Sequence, residues 1–178
     1  MSKPSHLMML LWLALSPAAW AAEATRDPLE HFFHQSFNSL PDEVASAKTE
    51  GQQGILIMFE AEDCPWCAKM KATVLNQTKV QDFYRRHFRI LMMDVNGDVP
   101  MTDFNGKEMP QKEFAFQHNR VRATPVFIFF GLDGKQLTKY TGATRDAEEF
   151  LWLGEFVTTG AWKTTNFTAY KRDRSRSN

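Results

Sequence analysis

Residues 55–59 (ILIMF) form an unbroken apolar run between Gly54 and Glu60, and a Cys-x-x-Cys unit, Cys64-Pro65-Trp66-Cys67, follows almost at once. An apolar run bounded by glycine and by acidic residues predicts a strand buried on both faces, as central strands of parallel-type sheets are. From Pro65 to about Gln77 good helix formers dominate, and Cys67, Met70 and Val74 fall on one helical face. Cys64 therefore stands where a buried strand gives way to a helix.

The remaining pattern extends this unit. Residues 89–95 predict a second apolar strand, closing a strand–helix–strand unit with a right-handed crossover. Residues 126–130 (VFIFF) predict a third, and the hairpin-type turn Leu132-Asp133-Gly134-Lys135 leads to a partner strand over 136–141. The polar stretch 96–109, with Asn96-Gly97 and Asn105-Gly106, predicts an excursion holding a small hairpin. Helices are expected over 28–37, 41–49, 80–87 and 111–119. In the first, Asp27 is the N-cap, Pro28 the first helical residue and Glu30 the third residue of a capping box. A last helix opens at Asp146, buries Phe150, Leu153 and Val157, and ends at Gly160. The order is that of an α/β sandwich around one mixed sheet.

The chain has 178 residues, enough for one domain, expected over 22–160. Its 21 basic and 21 acidic residues balance, which argues against nucleic acid or an anionic membrane as the main partner. Residues 161–178 read as a basic tail, Lys171-Arg172-Asp173-Arg174-Ser175-Arg176, solvated and flexible at its end. At the other end, Lys3 precedes the apolar run 7–15, Pro17 breaks it, and Ala19-Trp20-Ala21 fits the A-x-A cleavage pattern. Residues 1–21 thus read as a signal peptide, with a second cleavage site after Ala24 and an uncleaved anchor as the other readings. The apolar run is shorter than the ~20 residues of a membrane span.

Export bears on the cysteines. Disulfides persist outside the cytosol, yet a bond between Cys64 and Cys67 closes too small a ring to restrict the unfolded chain much. Redox chemistry is the better reason for the pair. At a helix N-terminus, unpaired N–H groups and the helix dipole favour a thiolate, which is the attacking species. Cys64 is the candidate nucleophile, and Cys67, one turn later and less exposed, the candidate resolving thiol. Pro65 suits the first helical position, and Trp66 reads as a partly exposed contact surface. Glu62 and Asp63 read as solvated charges that oppose the dipole at Cys64.

The second feature lies far along the chain, at Thr124-Pro125, the entrance to the third apolar strand. Proline cannot donate to a sheet ladder, so a strand's first residue is a proper place for it. A cis bond here would expose the backbone of Thr124 to a substrate strand. Taken alone, a trans bond is the ordinary reading, since cis occurs in about 5–6% of X–Pro bonds.

Through FEAEDCPWCAKM, ATPVFIFF and LDGKQLTKYTG the chain resembles the thioredoxin superfamily, and within it the SoxW-like periplasmic thioredoxins, from about residue 54 to 160. The resemblance implies a thioredoxin fold: a central mixed sheet flanked by helices, here with an N-terminal helical extension. It implies a dithiol protein of the bacterial periplasm that needs no cofactor or metal and reduces disulfides in exported proteins. A membrane thiol transporter of the DsbD or CcdA type would supply the electrons. It further implies that Pro125 is cis and, with Thr124 and Trp66, contacts substrate. One departure stands out. Cytosolic thioredoxins keep a buried acid six residues before the first cysteine, and Met58 occupies that place. Glu60 is nearer the motif but is expected to point differently, since strand faces alternate.

Other readings remain. A structural zinc site needs four ligands, and neither a second Cys-x-x-Cys nor a close His pair is present, while His31 and His34 read as surface or packed residues. A secreted protein-binding domain that merely keeps the fold is another reading, against which the intact cysteine pair argues. A thiol oxidase of the DsbA kind shares the motif. Thr rather than Val before Pro125, and no large helical insertion between Asn96 and Val126, favour reduction. No apolar helix stripe demands a dimer, so a monomer is expected.

Overall fold

The computed structural model describes residues 24–177, so the segment read as a signal peptide lies outside the described residues. The sheet has four strands: β1 (Gly54–Glu60), β2 (Phe88–Asp94), β5 (Val126–Gly131) and β6 (Gln136–Thr141), in the order β2-β1-β5-β6. β1 runs parallel to β2 and antiparallel to β5, and β6 pairs antiparallel with β5. A separate hairpin, β3 (Pro100–Thr102) with β4 (Glu108–Pro110), fills the polar excursion.

The strand period sorts the core into two layers. Leu56 and Met58 of β1, with Phe127 and Phe129 of β5, face a helical layer built from α3 (Pro65–Thr73), α4 (Thr78–His87) and α6 (Ala147–Thr158). Ile55, Ile57 and Phe59, with Val126, Ile128 and Phe130, face α2 (Leu40–Thr49), the hairpin methionines Met101 and Met109, and Phe114. Residues 55–59 are fully buried, as the sequence predicts. The fold is the thioredoxin-like one: a mixed sheet between helical layers, preceded by a short helix α1 (Pro28–His31).

α1 is shorter than expected. Asp27 caps it, accepting the Leu29 N–H at 2.8 Å, but the helix stops after His31. Phe32 and Phe33, which follow it, are both buried in the core. The chain then turns to the sheet edge, where the His34 N–H donates to the Ile90 carbonyl (2.8 Å) and the Ile90 N–H donates to His34 Nδ1 (2.9 Å). His31 and His34 therefore share no helical face. Burial, followed by the nearby Arg85 and Arg89 charges, pulls the His34 imidazole down to about 4.

α3 also ends early, at Thr73, because the Asn76 and Gln77 side-chain amides donate to the Ala72 and Thr73 carbonyls (2.7 Å each) and close the helix. α5 (Gln111–Glu113) continues into one wider turn over Phe114–His118. α6 is capped as expected, Asp146 accepting the Glu149 N–H at 2.9 Å, and Gly160, with φ of 75°, turns the chain just beyond its last residue. Beyond Gly160 the chain goes on into a helical segment. It forms α7 (Phe167–Ser177), whose Phe167 and Tyr170 rings lie 5.7 and 5.3 Å from Phe156. Lys171 of α7 binds the buried Glu149 at 2.7 Å. Among the described residues no helix is long and apolar enough to cross a membrane.

α4 and α6 pack so closely that Gly154 has no room for a side chain. A Cβ there would meet the Phe83 ring and stand 3.0 Å from Cζ of Tyr84, which is itself fixed by stacking on Phe150 and by donating to the Phe150 carbonyl (2.5 Å). Gly154→Ala is expected to lower unfolding free energy by about 1–3 kcal/mol, overpacking outweighing the better helix propensity; chemical denaturation measures it. His34 supplies a pH test. Its native pKa is depressed, so the unfolded chain takes up the proton first and stability falls as pH drops from the ordinary imidazole value of 6.5 towards about 4. His34→Gln should flatten that part of a stability–pH curve.

Candidate functional site

β1 delivers the chain to the site and α3 receives it. Cys64 is the N-cap of α3, with extended φ/ψ of −97° and 102°, and Pro65 takes the first helical position. The Cys64 sulfur accepts the Cys67 N–H at 3.1 Å, so one of the helix's unpaired N–H groups already points at it. The two sulfurs are joined in a disulfide, with the Cα atoms 5.2 Å apart. Cys64 keeps 8% of its surface and Cys67 1%, so access to the pair is through Cys64.

Strand register brings the other components to this edge. Phe59 pairs with Val126 in the antiparallel β1–β5 ladder, so the start of β5 lies beside the end of β1. The Thr124–Pro125 peptide is cis, and the Pro125 carbonyl accepts the Gly142 N–H at 2.8 Å. Glu60 pairs with Asp94 in the parallel β1–β2 ladder, so the end of β2 arrives at the same edge. Thr124, Asp94 and Asn96 thus line one groove of about 330 Å³ with Cys64, Asp63 and Trp66. Trp66 is 57% exposed, with Lys69 Nζ 5.1 Å above its ring. A larger groove of about 560 Å³ flanks α3 at Ala68 and Ala72, but it contains neither sulfur nor the cis-proline, and the chemistry belongs to the smaller one.

Glu60 corrects the sequence expectation. Residues two apart on a strand share a face, so Glu60 lies on the Met58 side, the side on which both cysteines pack. Its carboxylate binds Lys71 Nζ at 2.9 and 3.2 Å. Lys71 stands one helical turn after Cys67 on α3, a spacing that brings side chains together. Met58 is wholly buried in the apolar cluster, as its position requires. Glu62 and Asp63 are exposed. Nothing in the local sequence marks Asp94, Asn96 or Lys71 as part of the site. The register of two parallel strands, whose C-terminal ends share one edge, is the signal that locates the first two.

What the arrangement can do follows from these positions. The disulfide can open to a dithiol whose outer sulfur lies at a helix N-terminus, where a thiolate is favoured. The inner sulfur is one turn away and can attack any bond the outer one forms.

A family model described as a thioredoxin-like domain matches residues 40–158. Among solved structures, a thioredoxin-fold protein from Helicobacter pylori superposes with a TM-score of 0.64 at 21% identity, covering 84% of this chain and 96% of that one. A thioredoxin from Thermus thermophilus gives 0.55 at 22% identity, covering 72% and 88%. A putative disulphide-isomerase from Bacteroides thetaiotaomicron gives 0.54 at 21%, covering 82% and 98%. At these identities the likeness is one of fold. No curated protein matches the sequence.

The Glu60–Lys71 pair yields a prediction of opposite signs. In a Cys64→Ser background, Glu60→Gln leaves a bare ammonium near Cys67 and should raise its thiolate fraction at fixed pH, read by ultraviolet absorbance. Lys71→Met leaves a bare carboxylate and should lower it. Shifts in the same direction would mean that the pair acts only by holding α3 in place.

Proposed function

The chain belongs to the thioredoxin-like domain family, and on that premise we propose that it is an exported thiol–disulfide oxidoreductase that reduces disulfides in other exported proteins. One observation carries the reading: Cys64 and Cys67 form a disulfide at the N-terminus of α3, beside the cis Thr124–Pro125 bond, with only the outer sulfur facing the groove.

In the reduced protein the Cys64 thiolate attacks one sulfur of a substrate disulfide. A mixed disulfide forms, and the other substrate sulfur leaves as a thiolate. The Cys67 thiolate then attacks the Cys64 sulfur; the Cys64–Cys67 bond forms and the second substrate sulfur leaves. Two electrons pass to the substrate, whose thiolates take up two protons, and the protein ends oxidised. The Thr124 backbone beside the groove suits pairing with an extended substrate segment, and the exposed Trp66 ring offers it an apolar surface. Pro65 serves the start of the helix.

The periplasm as location, membership of the SoxW-like group, and a membrane transporter of the DsbD or CcdA type as electron donor rest on the sequence resemblance and on the leader pattern over residues 1–21. Reduction rather than oxidation is supported by Thr124 and by the short connection after β2, a hairpin and a brief helix, where a DsbA-like oxidase would carry a large helical insertion. No cofactor enters the proposed cycle.

Cys64→Ser should abolish reduction of a protein disulfide and leave the thermal unfolding transition in place; retained activity would refute the assigned nucleophile. A reduction potential near that of a strong oxidant, about −120 mV, would instead assign the protein to disulfide formation. Stoichiometric metal after purification under reducing conditions would replace the redox reading with a binding one.

A further inference from the structure

We propose that the groove over Cys64 receives cationic polypeptide, so that the disulfides exchanged here are those flanked by lysine or arginine. The proposal rests on the dithiol reading above and adds the class of substrate to it. The site itself is marked by Cys64 and by Thr124 of the cis peptide; the charges that line the groove decide which polypeptide fits.

Three carboxylates, Glu62, Asp63 and Asp94, line the groove, and no cationic side chain does. Glu62 and Asp63 are exposed, and Asp94 makes a local contact, accepting the Asn96 N–H at 2.9 Å. None of the three has an ion-pair partner among the described residues. Three of the nearby cations are engaged away from the groove, and the fourth, Lys69, stands at its rim. Lys71 binds Glu60, Lys112 binds Asp98, Lys69 lies over Trp66, and the Arg122 guanidinium stands 5.8 Å over the Phe116 ring. A chain with equal numbers of acidic and basic residues thus presents a one-signed mouth at its reactive sulfur.

These carboxylates do not assist the attack, because negative charge beside Cys64 disfavours its thiolate. Their effect is on the visitor. A groove of one sign concentrates oppositely charged partners and raises association rates by tenfold or more, with a steep dependence on salt. Basic residues on either side of a substrate cysteine would meet Asp63 and Asp94 as the sulfur reaches Cys64.

The test uses three peptide disulfides identical except for lysine, glutamate or serine beside the cysteine, each mixed with the reduced full-length protein. At about 0.01 M salt, where the Debye length is about 30 Å, the lysine peptide should be reduced about tenfold faster than the glutamate peptide. At about 1 M salt, with a Debye length of about 3 Å, the rates should converge. Glu62→Lys combined with Asp63→Lys, both at exposed positions, should remove the lysine preference. Equal low-salt rates for the lysine and glutamate peptides, or a preference that survives the charge reversal, would overturn the proposal while leaving the dithiol reading intact. If no peptide is reduced, the serine one included, the functional reading falls and this proposal with it.

Discussion

Burial of β1 on both faces is the constraint from which the rest of the structure follows. Its five apolar residues have no surface left for water, so the strand must lie inside the sheet with a helical layer on each side. With β2 parallel on one flank and β5 antiparallel on the other, the end of β1, the end of β2 and the start of β5 meet at one edge. Cys64, Asp94 and the cis Thr124–Pro125 bond become neighbours through that topology, although they are far apart in sequence.

Because β1 ends in the core, the first turn of α3 starts half inside it. Cys67 and Met70 face the apolar cluster while Pro65 and Trp66 face outward. The unequal exposure of the two sulfurs is therefore a property of the helix's orientation. It assigns order to the chemistry, since a visiting sulfur meets Cys64 and only an internal attack reaches Cys67. Polar groups gather just beyond the core: Glu60 with Lys71 beneath α3, and Glu62, Asp63 and Asp94 around the mouth.

Local pattern was enough wherever one face or one cap decided the outcome. The strand at 55–59, the caps Asp27 and Asp146, the hairpin in the polar excursion and the position of Cys64 at a helix start are all written in short-range sequence. Long-range contacts decided what the pattern could not show. α1 stops at His31 because Phe32 and Phe33 are both taken into the core and His34 joins the edge of β2. Residues 167–177 fold back because Phe167 and Tyr170 find Phe156 and because Lys171 neutralises the buried Glu149, partners a basic composition does not reveal. Glu60 shares the face of Met58 for a simpler reason: alternation separates adjacent residues, and these two are two apart.

The central claim is that a visiting disulfide is met by the outer sulfur at the N-terminus of α3. Mixing the reduced protein with a single activated peptide disulfide, quenching with acid before the second step, and locating the adduct by mass spectrometry tests it most directly. The account predicts the peptide on Cys64; an adduct on Cys67, or no adduct at all, would contradict it.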